Sequence, residues 1–268
     1  MPVTVLILMA FDDGEGRLVA DELRRRGHRP VPFDLSDFPI RASLDARLGP
    51  DGWDGRLRTP DTSVDLTDVT AVYHRRCPSF ELPETMNAAE QRFSRVEARF
   101  GLGGVLASLP AHWVSHPSAM ADAEYKPVQY VAATRVGLPL PPTWVGNTPE
   151  AARAFLTDQG GSGVYKPLMH KLVADSGQAR LIYTTPTRAA QVDDRVTVTA
   201  HQFQQHVRAE YDVRALVTRT GCEAVAITIE GRTVFYEVNP AGQWAWLMEE
   251  TGAPMTGLIC DELTEPSR

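Results

Sequence analysis

Lysine is scarce in this chain of 268 residues. Lysine and arginine together number 27, yet the only lysines are Lys126, Lys166 and Lys171. Arginine therefore carries nearly all of the positive surface charge, and a lysine kept in such a composition marks a position worth examining. A bias in composition could also leave a few lysines at random, so scarcity alone assigns no role.

The sequence also lacks a membrane-length apolar run and an excess of basic charge. The apolar segment 3–9 is followed by Asp12 and Asp13 and has no basic residues before it, which indicates a buried strand and not a secretion signal. A formal net charge of −7 argues against a general nucleic-acid binder. We expect a cytoplasmic protein with no membrane or nucleic-acid partner.

Cysteine is equally scarce, and its spacing matches neither a metal site nor a disulfide framework. Cys77, Cys222 and Cys260 lie far apart in the sequence. We expect all three to be reduced, buried thiols of a cytosolic protein.

The first third of the chain alternates strand and helix patterns. Strands are predicted at 3–9, 29–33 and 69–75 and helices at 15–26 and 88–109, with a β-rich stretch around the turn at 49–52. This alternation predicts a parallel-type α/β layer. A boundary is expected near 110–118, and further helices are predicted to start at Lys126 and after Thr148.

The segment 234–244 contains the most informative pattern. Its alternating apolar residues predict a half-buried strand, with Glu237 and Asn239 on one face and Pro240 and Gly242 ending it. An anionic and a neutral oxygen donor side by side suit Mg²⁺ that shares phosphate oxygens. An ordinary edge strand with two solvated polar residues would give the same pattern.

Two of the three lysines occur where a phosphate chain could be held. Lys126 opens a predicted helix with proline in its first turn, and Lys166 lies in a short strand after the glycine-rich run 160–163. A compact ammonium at each place could bind phosphate as a point charge. Both residues could instead be ordinary surface lysines.

A further pair of predicted strands supplies polar groups. A strand from residue 199 runs into a connection at 204–207, whose backbone carbonyl and N–H groups could hydrogen-bond to the edge of an adenine ring. The next strand places Asp212 and Arg214 on one face, and the planar fork of Arg214 suits a carboxylate or phosphate. A surface ion pair is the alternative.

These segments, in this order, resemble the ATP-grasp ligases. More narrowly, they are similar to the maturases that make graspetides, the microviridin-like peptides with side-chain ester or amide rings. The resemblance rests on Lys126, 165–168, 203–207, 212–214 and 237–244, and on the Arg75-Arg76 strand near the N-terminus. It covers nearly the whole chain and is closest to the actinobacterial-type branch.

The resemblance implies an α/β (α+β) protein with an ATP-grasp fold and an N-terminal pre-ATP-grasp α/β domain. The expected divisions are 1–112 for that domain, 113–198 for the central ATP-grasp subdomain and 199–268 for the C-terminal subdomain. The family would have a further helical segment near 229–230, with another metal-binding acid, that is absent from this sequence. Either the protein is a natural deletion, or a mobile segment is missing from this chain. We favour the second, because the lobe would pack poorly without that layer.

The resemblance also implies an activity, which is ATP-dependent macrocyclisation of a precursor peptide through an acyl phosphate on Glu or Asp. ATP, Mg²⁺, a precursor with a leader and an acidic, Thr-rich core, and a homodimer follow from it. The implied site comprises catalytic Arg214 and Lys166; nucleotide-binding Lys126, Lys166, Gln204, Gln205, His206 and Val207; metal-binding Glu237 and Asn239; and substrate-binding Arg75, Arg76 and Asp212. The alternatives are an ATP-grasp ligase for small amino-acid-like substrates and a non-catalytic scaffold that binds peptide or nucleotide.

Overall fold

The computed structural model describes residues 2–169, 172–175, 178–231, 237–239 and 242–265. Within these ranges the chain forms two compact units, of which one comprises residues 2–120, 214–225 and 242–265 and the other residues 121–213 and 226–239. The three-part division predicted from the sequence stays a prediction. None of the helices in the described ranges is long and apolar enough to cross a bilayer.

The described elements alternate along most of the chain. The strands are β1 (Thr4–Leu8), β2 (Arg29–Phe33), β3 (Ser43–Gly49), β4 (Gly52–Arg58), β5 (Ser63–Asp65), β6 (Ala71–His74), β7 (His112–Val114), β8 (Thr143–Gly146), β9 (Ser162–Tyr165), β10 (Leu172–Asp175), β11 (Gln178–Leu181), β12 (Thr185–Arg188), β13 (His201–Gln204), β14 (Ala209–Val217) and β15 (Cys222–Gly231). The helices are α1 (Gly14–Arg25), α2 (Ala88–Ala107), α3 (Pro117–Glu124), α4 (Lys126–Arg135), α5 (Pro149–Asp158), α6 (Ala245–Thr251) and α7 (Met255–Thr264).

The first unit contains a parallel sheet in the order β2–β1–β6–β7. Its central strand β1 is almost wholly apolar and buried, as expected for a strand covered on both faces. Helices α1 and α7 pack against each other, and α7 also contacts β6 and β7. The parallel α/β layer predicted from the sequence is confirmed.

The helix ends of this unit follow from their capping residues. Asp13 caps α1 by accepting the Gly16 N–H at 2.7 Å. Asn87 and Glu90 form a reciprocal capping box at the start of α2. Both helices begin within one residue of the predicted start.

A three-stranded antiparallel sheet, β3–β4–β5, covers part of the unit's apolar core. The tight turn between β3 and β4 coincides with the turn predicted at 49–52. Gly55 on β4 has a φ of +138°, and a Cβ at this position would collide with the Asp45 carbonyl oxygen. The backbones of β3 and β4 approach closely at this point, which requires glycine.

The second unit contains an antiparallel sheet in the order β12–β9–β13–β8, with α5 packed on it. Leu156 of α5 is fully buried against Phe203 of β13, whose ring stacks on Trp144 with centroids 5.8 Å apart. Thr148 lies at the predicted N-cap of α5, but its side chain makes no capping hydrogen bond. This unit carries the scarce lysines Lys126 and Lys166.

Candidate functional site

One carboxylate lies between the two lysines singled out in the sequence. Glu237 Oε2 is 3.1 Å from Lys126 Nζ and 3.6 Å from Lys166 Nζ. Both lysine side chains are 9% exposed, whereas that of Glu237 is 27% exposed. Lys126 and Lys166 lie 111 and 71 residues before Glu237 in the sequence, yet the three side chains form one charged cluster.

Local structure determines where each lysine points. Lys126 is the first residue of α4. Pro127 fits the first helical turn, because proline lacks an N–H group and an N–H at that position would have no intrahelical acceptor. Lys166 follows β9 directly, and its N–H donates to the Gln202 carbonyl oxygen of β13 at 3.2 Å. A helix start and a strand end therefore bring the two ammonium groups to the same carboxylate.

The cluster presents groups of the kind that bind anions. Lys126 and Lys166 place two buried ammonium groups beside the Glu237 carboxylate. An ammonium group binds phosphate as a compact point charge. Asn239 lies two residues beyond Glu237 and is exposed. In the described part of the chain, no group of three or more His, Cys, Asp or Glu side chains could by itself hold a metal ion.

Buried polar side chains support the cluster from α4 and β13. Gln202 is fully buried and donates through Nε2 to the Tyr130 hydroxyl at 2.7 Å. Burial is the largest cause of a raised pKa for Tyr130; the hydrogen bond from Gln202 opposes it, and the charge of Glu237 adds to it. A phenol with a pKa at or above the ordinary value of about 10 is uncharged at neutral pH, so Tyr130 contributes a neutral hydroxyl.

The segment predicted to bind adenine divides into a structural and an exposed part. Gln204 is buried at the end of β13, and its side chain donates to Thr143 Oγ1 at 2.9 Å. The Gln205 N–H donates to the Pro142 carbonyl oxygen at 2.9 Å, so that group is already engaged. His206 is exposed and Val207 is half-buried.

The predicted substrate residues have different environments. Asp212 and Arg214 lie on β14, where Asp212 is half-buried and Arg214 is exposed. Arg76 is exposed, whereas the Arg75 side chain is 4% exposed and contacts Asp13 and Glu15. The structure thus gathers Lys126, Lys166 and Glu237, whereas Arg75 belongs to a separate ionic cluster in the first unit.

Part of the predicted site lies outside the described residues, and part of the observed site was not predicted. Most of the predicted strand before Glu237 and also Lys171 lie outside the described residues. Sequence reasoning missed Gln129, which contacts the backbone of Val238, as well as Tyr130 and Gln202. One signal could have indicated Gln129 and Tyr130: they lie three and four residues after Lys126 in the predicted helix, on the same face as the lysine.

The N-terminal part of the chain matches a known family model. Residues 4–121 match the family described as the MvdD pre-ATP grasp domain. This range contains the parallel sheet of the first unit. The resemblance drawn from the Arg75-Arg76 strand is confirmed for this part of the chain.

Solved structures of low sequence identity share the fold over nearly the full length. A RiPP-associated ATP-grasp ligase from Chryseobacterium gregarium, in complex with ADP and a leader and core peptide, is 20% identical with a TM-score of 0.89, over 98% of each chain. The macrocyclase MdnC from Microcystis aeruginosa, bound with its precursor peptide MdnA, is 22% identical with a TM-score of 0.85, over 97% of this chain and 99% of the other. The ATP-grasp ligase PsnB, complexed with a minimal precursor, Mg and ADP, is 19% identical with a TM-score of 0.69, over 97% and 96%.

These likenesses confirm the predicted ATP-grasp fold with a pre-ATP-grasp N-terminal domain. No curated protein sequence matches the chain. The predicted absence of a segment near 229–230 stays a prediction.

Proposed function

We propose that this chain, whose residues 4–121 match the MvdD pre-ATP grasp domain, is an ATP-dependent ligase that closes side-chain ester or amide rings in a ribosomal precursor peptide. The observation that carries the proposal is the cluster in which Lys126 and Lys166 share Glu237. Its support is the shared fold of ligases whose structures hold ADP, Mg and precursor peptides.

The residues present fit magnesium-bound ATP. A carboxylate and an amide oxygen, from Glu237 and Asn239, are hard oxygen donors of the kind Mg²⁺ takes from proteins while it keeps water and phosphate oxygens. The ammonium groups of Lys126 and Lys166 would bind the phosphates as point charges. When bound, the metal would neutralise charge on the phosphate oxygens.

The proposed reaction has two steps on the peptide. A Glu or Asp carboxylate oxygen attacks the γ-phosphorus, the bond to the β-phosphate oxygen breaks, and ADP leaves. A Thr or Ser hydroxyl, or a Lys amine, then attacks the acyl carbon, phosphate leaves and a proton is released. The chain itself supplies positioning and charge neutralisation, which dominate phosphoryl transfer. Water must be excluded, because an acyl phosphate hydrolyses readily.

Further polar groups are suited to the peptide and the base. Arg214 would bind the reacting carboxylate or the transferring phosphoryl group, with Asp212 and Arg76 as further substrate contacts. The exposed state of Arg214 and Arg76 supports these roles. For adenine, the Val207 N–H and the Gln205 carbonyl are the proposed partners, because the Gln205 N–H already bonds to Pro142.

Three further properties belong to the same proposal. The precursor would carry a leader and an acidic, Thr-rich core, the enzyme would be a homodimer, and it would act in the cytoplasm. Size-exclusion chromatography with light scattering tests the dimer, and a pull-down with leader-deleted precursor tests the leader.

The test of the activity uses the small peptide encoded beside the gene for this chain. With ATP and Mg²⁺ we expect the peptide to lose one water per ring, as read by mass spectrometry. Glu237→Gln is expected to abolish ring formation with an unchanged circular dichroism spectrum, whereas Glu249→Gln, an exposed residue of α6, keeps it.

Other outcomes would favour the alternatives. ATP consumption with free amino acids, and no mass change in any peptide, would indicate a small-molecule ligase. The absence of both nucleotide binding and peptide-dependent ATP hydrolysis would indicate a scaffold. Wild-type turnover by Glu237→Gln would refute the metal assignment.

A further inference from the structure

Helix α2 of the first unit has two apolar faces, one buried and one exposed. Leu102 and Leu106 of the buried face belong to the core of the unit. The exposed face carries four apolar residues, here called the α2 stripe, which are Ala89, Phe93, Val96 and Phe100. The three large members are 67%, 51% and 72% exposed, in that order. Large apolar side chains that are contiguous on a surface mark a place where a partner binds.

The α2 stripe has the spacing of a coiled-coil seam. Its members are separated by four, three and four residues, so they follow one another along a single face of the helix. In a coiled coil such a seam packs against a second helix with the same spacing. A second copy of this chain presents that helix, because it carries the same stripe in the same exposed position.

The charged residues beside the α2 stripe have opposite signs on its two sides. Arg92 and Arg99 each directly precede a phenylalanine of the stripe, which places both along one side of it. Glu90 and Glu97 directly follow the other two members, which places both along the opposite side. All four charged residues are exposed. The stripe therefore has one basic and one acidic edge.

This arrangement of charge favours a parallel pair of helices. When two parallel helices are related by a two-fold axis, the basic edge of each meets the acidic edge of the other. Arg92 then lies beside the partner's Glu97, and the reciprocal pair forms as well. In an antiparallel pair like edges meet, so arginine would lie beside arginine and glutamate beside glutamate. Like charges at such close range are destabilising.

We infer that the α2 stripe is the contact surface between two copies of this chain, and that the two α2 helices run parallel. The inference rests on the homodimer of the proposed function and names its surface. Phe93 and Val96 would pack on their counterparts, with an Arg92–Glu97 pair on each side. The stripe covers residues 89–100, about 16 Å of helix. Because so short a seam makes a small interface, we expect a dimer that dissociates on dilution.

Charge reversal tests both the surface and the orientation. Sedimentation velocity over a range of concentrations gives the dimer dissociation constant of each variant. Arg92→Glu would place carboxylates together on both sides of a parallel pair, so we expect the constant to rise about tenfold. Arg92→Glu combined with Glu97→Arg restores both pairs with reversed signs and should return the constant to within about twofold of wild type. Arg95→Glu, the same charge change on the same helix but away from the stripe, is the control.

Removal of an aromatic ring tests the seam itself. Phe93→Ala takes one ring from each copy, and we expect the dissociation constant to rise about a hundredfold with an intact circular dichroism spectrum. Leu48→Ala, at a 68% exposed position on β3 of the same unit, is the control and should leave the constant unchanged. Phe100→Ala provides the same test if Phe93→Ala does not fold.

Three results would overturn the inference. The first is a dimer whose dissociation constant is the same in Arg92→Glu, Phe93→Ala and wild type. The second is a dimer that Arg92→Glu tightens, because only an antiparallel pair would gain attraction from that change. The third is a failure of the combined Arg92→Glu and Glu97→Arg variant to recover.

The mass assay for ring formation separates this inference from the proposed ligase activity. Wild-type chain that stays monomeric at every concentration but closes rings would refute the inference and leave the activity standing. A dimer that responds to the substitutions as expected, but neither binds MgADP nor modifies a peptide, would refute the activity alone. Monomeric wild type whose binding of the precursor peptide is weakened by Phe93→Ala would assign the α2 stripe to the peptide and would also overturn the inference.

Discussion

The side-chain amide of Gln129 pairs with both backbone groups of Val238. Gln129 Oε1 accepts the Val238 N–H at 2.9 Å, and Gln129 Nε2 donates to the Val238 carbonyl oxygen at 3.0 Å. Val238 lies between Glu237 and Asn239, and Gln129 lies three residues after Lys126 on the same face of α4. One helix therefore presents a phosphate-binding candidate and fixes the backbone between the two proposed metal ligands.

Gln129→Ala is expected to weaken MgATP binding more than it weakens the fold. The substitution removes the two hydrogen bonds to Val238 and a third, from Gln129 Nε2 to the Ala123 carbonyl oxygen, each worth about 1 kcal/mol. Val238 is 49% exposed, so water can replace part of the two bonds to its backbone. We expect the KM for MgATP to rise about tenfold, which corresponds to about 1.4 kcal/mol. Gln91→Ala, in a helix of the other unit, is the control. Folded Gln129→Ala with a wild-type KM would show that the contact is incidental.

Glu237→Gln is expected to destabilise the chain in a way that an inorganic anion reverses. The change leaves Lys126 and Lys166 without the carboxylate they share. Because Glu237 is 27% exposed, we expect the loss to stay below the roughly 3–5 kcal/mol that breaking a fully buried pair costs. Thermal unfolding with and without pyrophosphate measures this.

Pyrophosphate should raise the Tm of Glu237→Gln more than that of wild type, because it supplies the missing negative charge. Glu249→Gln should respond to pyrophosphate as wild type does. An equal response from all three proteins would contradict the proposed anion site.

Local sequence patterns predicted the elements of the first unit well. Strand β2 occupies the predicted residues, and α1 begins one residue before its expected start. These elements are marked by local signals, which are capping residues, apolar periodicity and a glycine after the helix. Gly27, with a φ of +80°, is that glycine for α1. The start of α4 at Lys126 was also predicted from a local signal, the proline in its first turn.

Contacts between distant positions could not be predicted in this way. Arg75 was named as a substrate residue from the resemblance, and nothing near it in sequence shows that it pairs with Glu15, 60 residues away. Gln129 meets Val238 across 109 residues, and no local pattern encodes that pairing. The sequence therefore indicated which residues could bind nucleotide, but not which side chains hold them in position.

The expectation that all three cysteines are buried was wrong for Cys222. Cys222 is exposed at the start of β15, Cys77 is half-buried and Cys260 is buried, and each is a free thiol. Burial raises the pKa of Cys77 and of Cys260 to about 12. Because the thiolate is the reactive form, we expect a thiol reagent at pH 8 to label Cys222 rapidly and the other two slowly.

Counting thiols with Ellman's reagent checks this prediction. One thiol should react in the native protein, three in denaturant, and none rapidly in native Cys222→Ser. Rapid labelling of a second native thiol would mean that the environment of Cys77 or Cys260 opens readily.

Histidine titration should make the fold less stable in mild acid. Burial is the main cause that lowers the pKa of His74, and the neighbouring His116 adds to it. His74 Nδ1 lies 2.9 Å from Met120 Sδ, and its ring packs edge-on against Trp113 at 6.5 Å, so the neutral ring is favoured in the folded state. The unfolded chain therefore binds more protons once the pH falls below about 6.5.

Stability should accordingly be constant above about pH 7.5 and should decline as the pH falls through 6.5 towards the lowered pKa of His74. Urea unfolding between pH 8 and 5.5 measures this slope. His74→Gln removes the titrating ring and should flatten the decline, whereas His206→Gln, at an exposed position, should leave it unchanged. A decline of equal slope in His74→Gln would assign it to other groups, of which His28 is the first candidate, because burial also lowers its pKa.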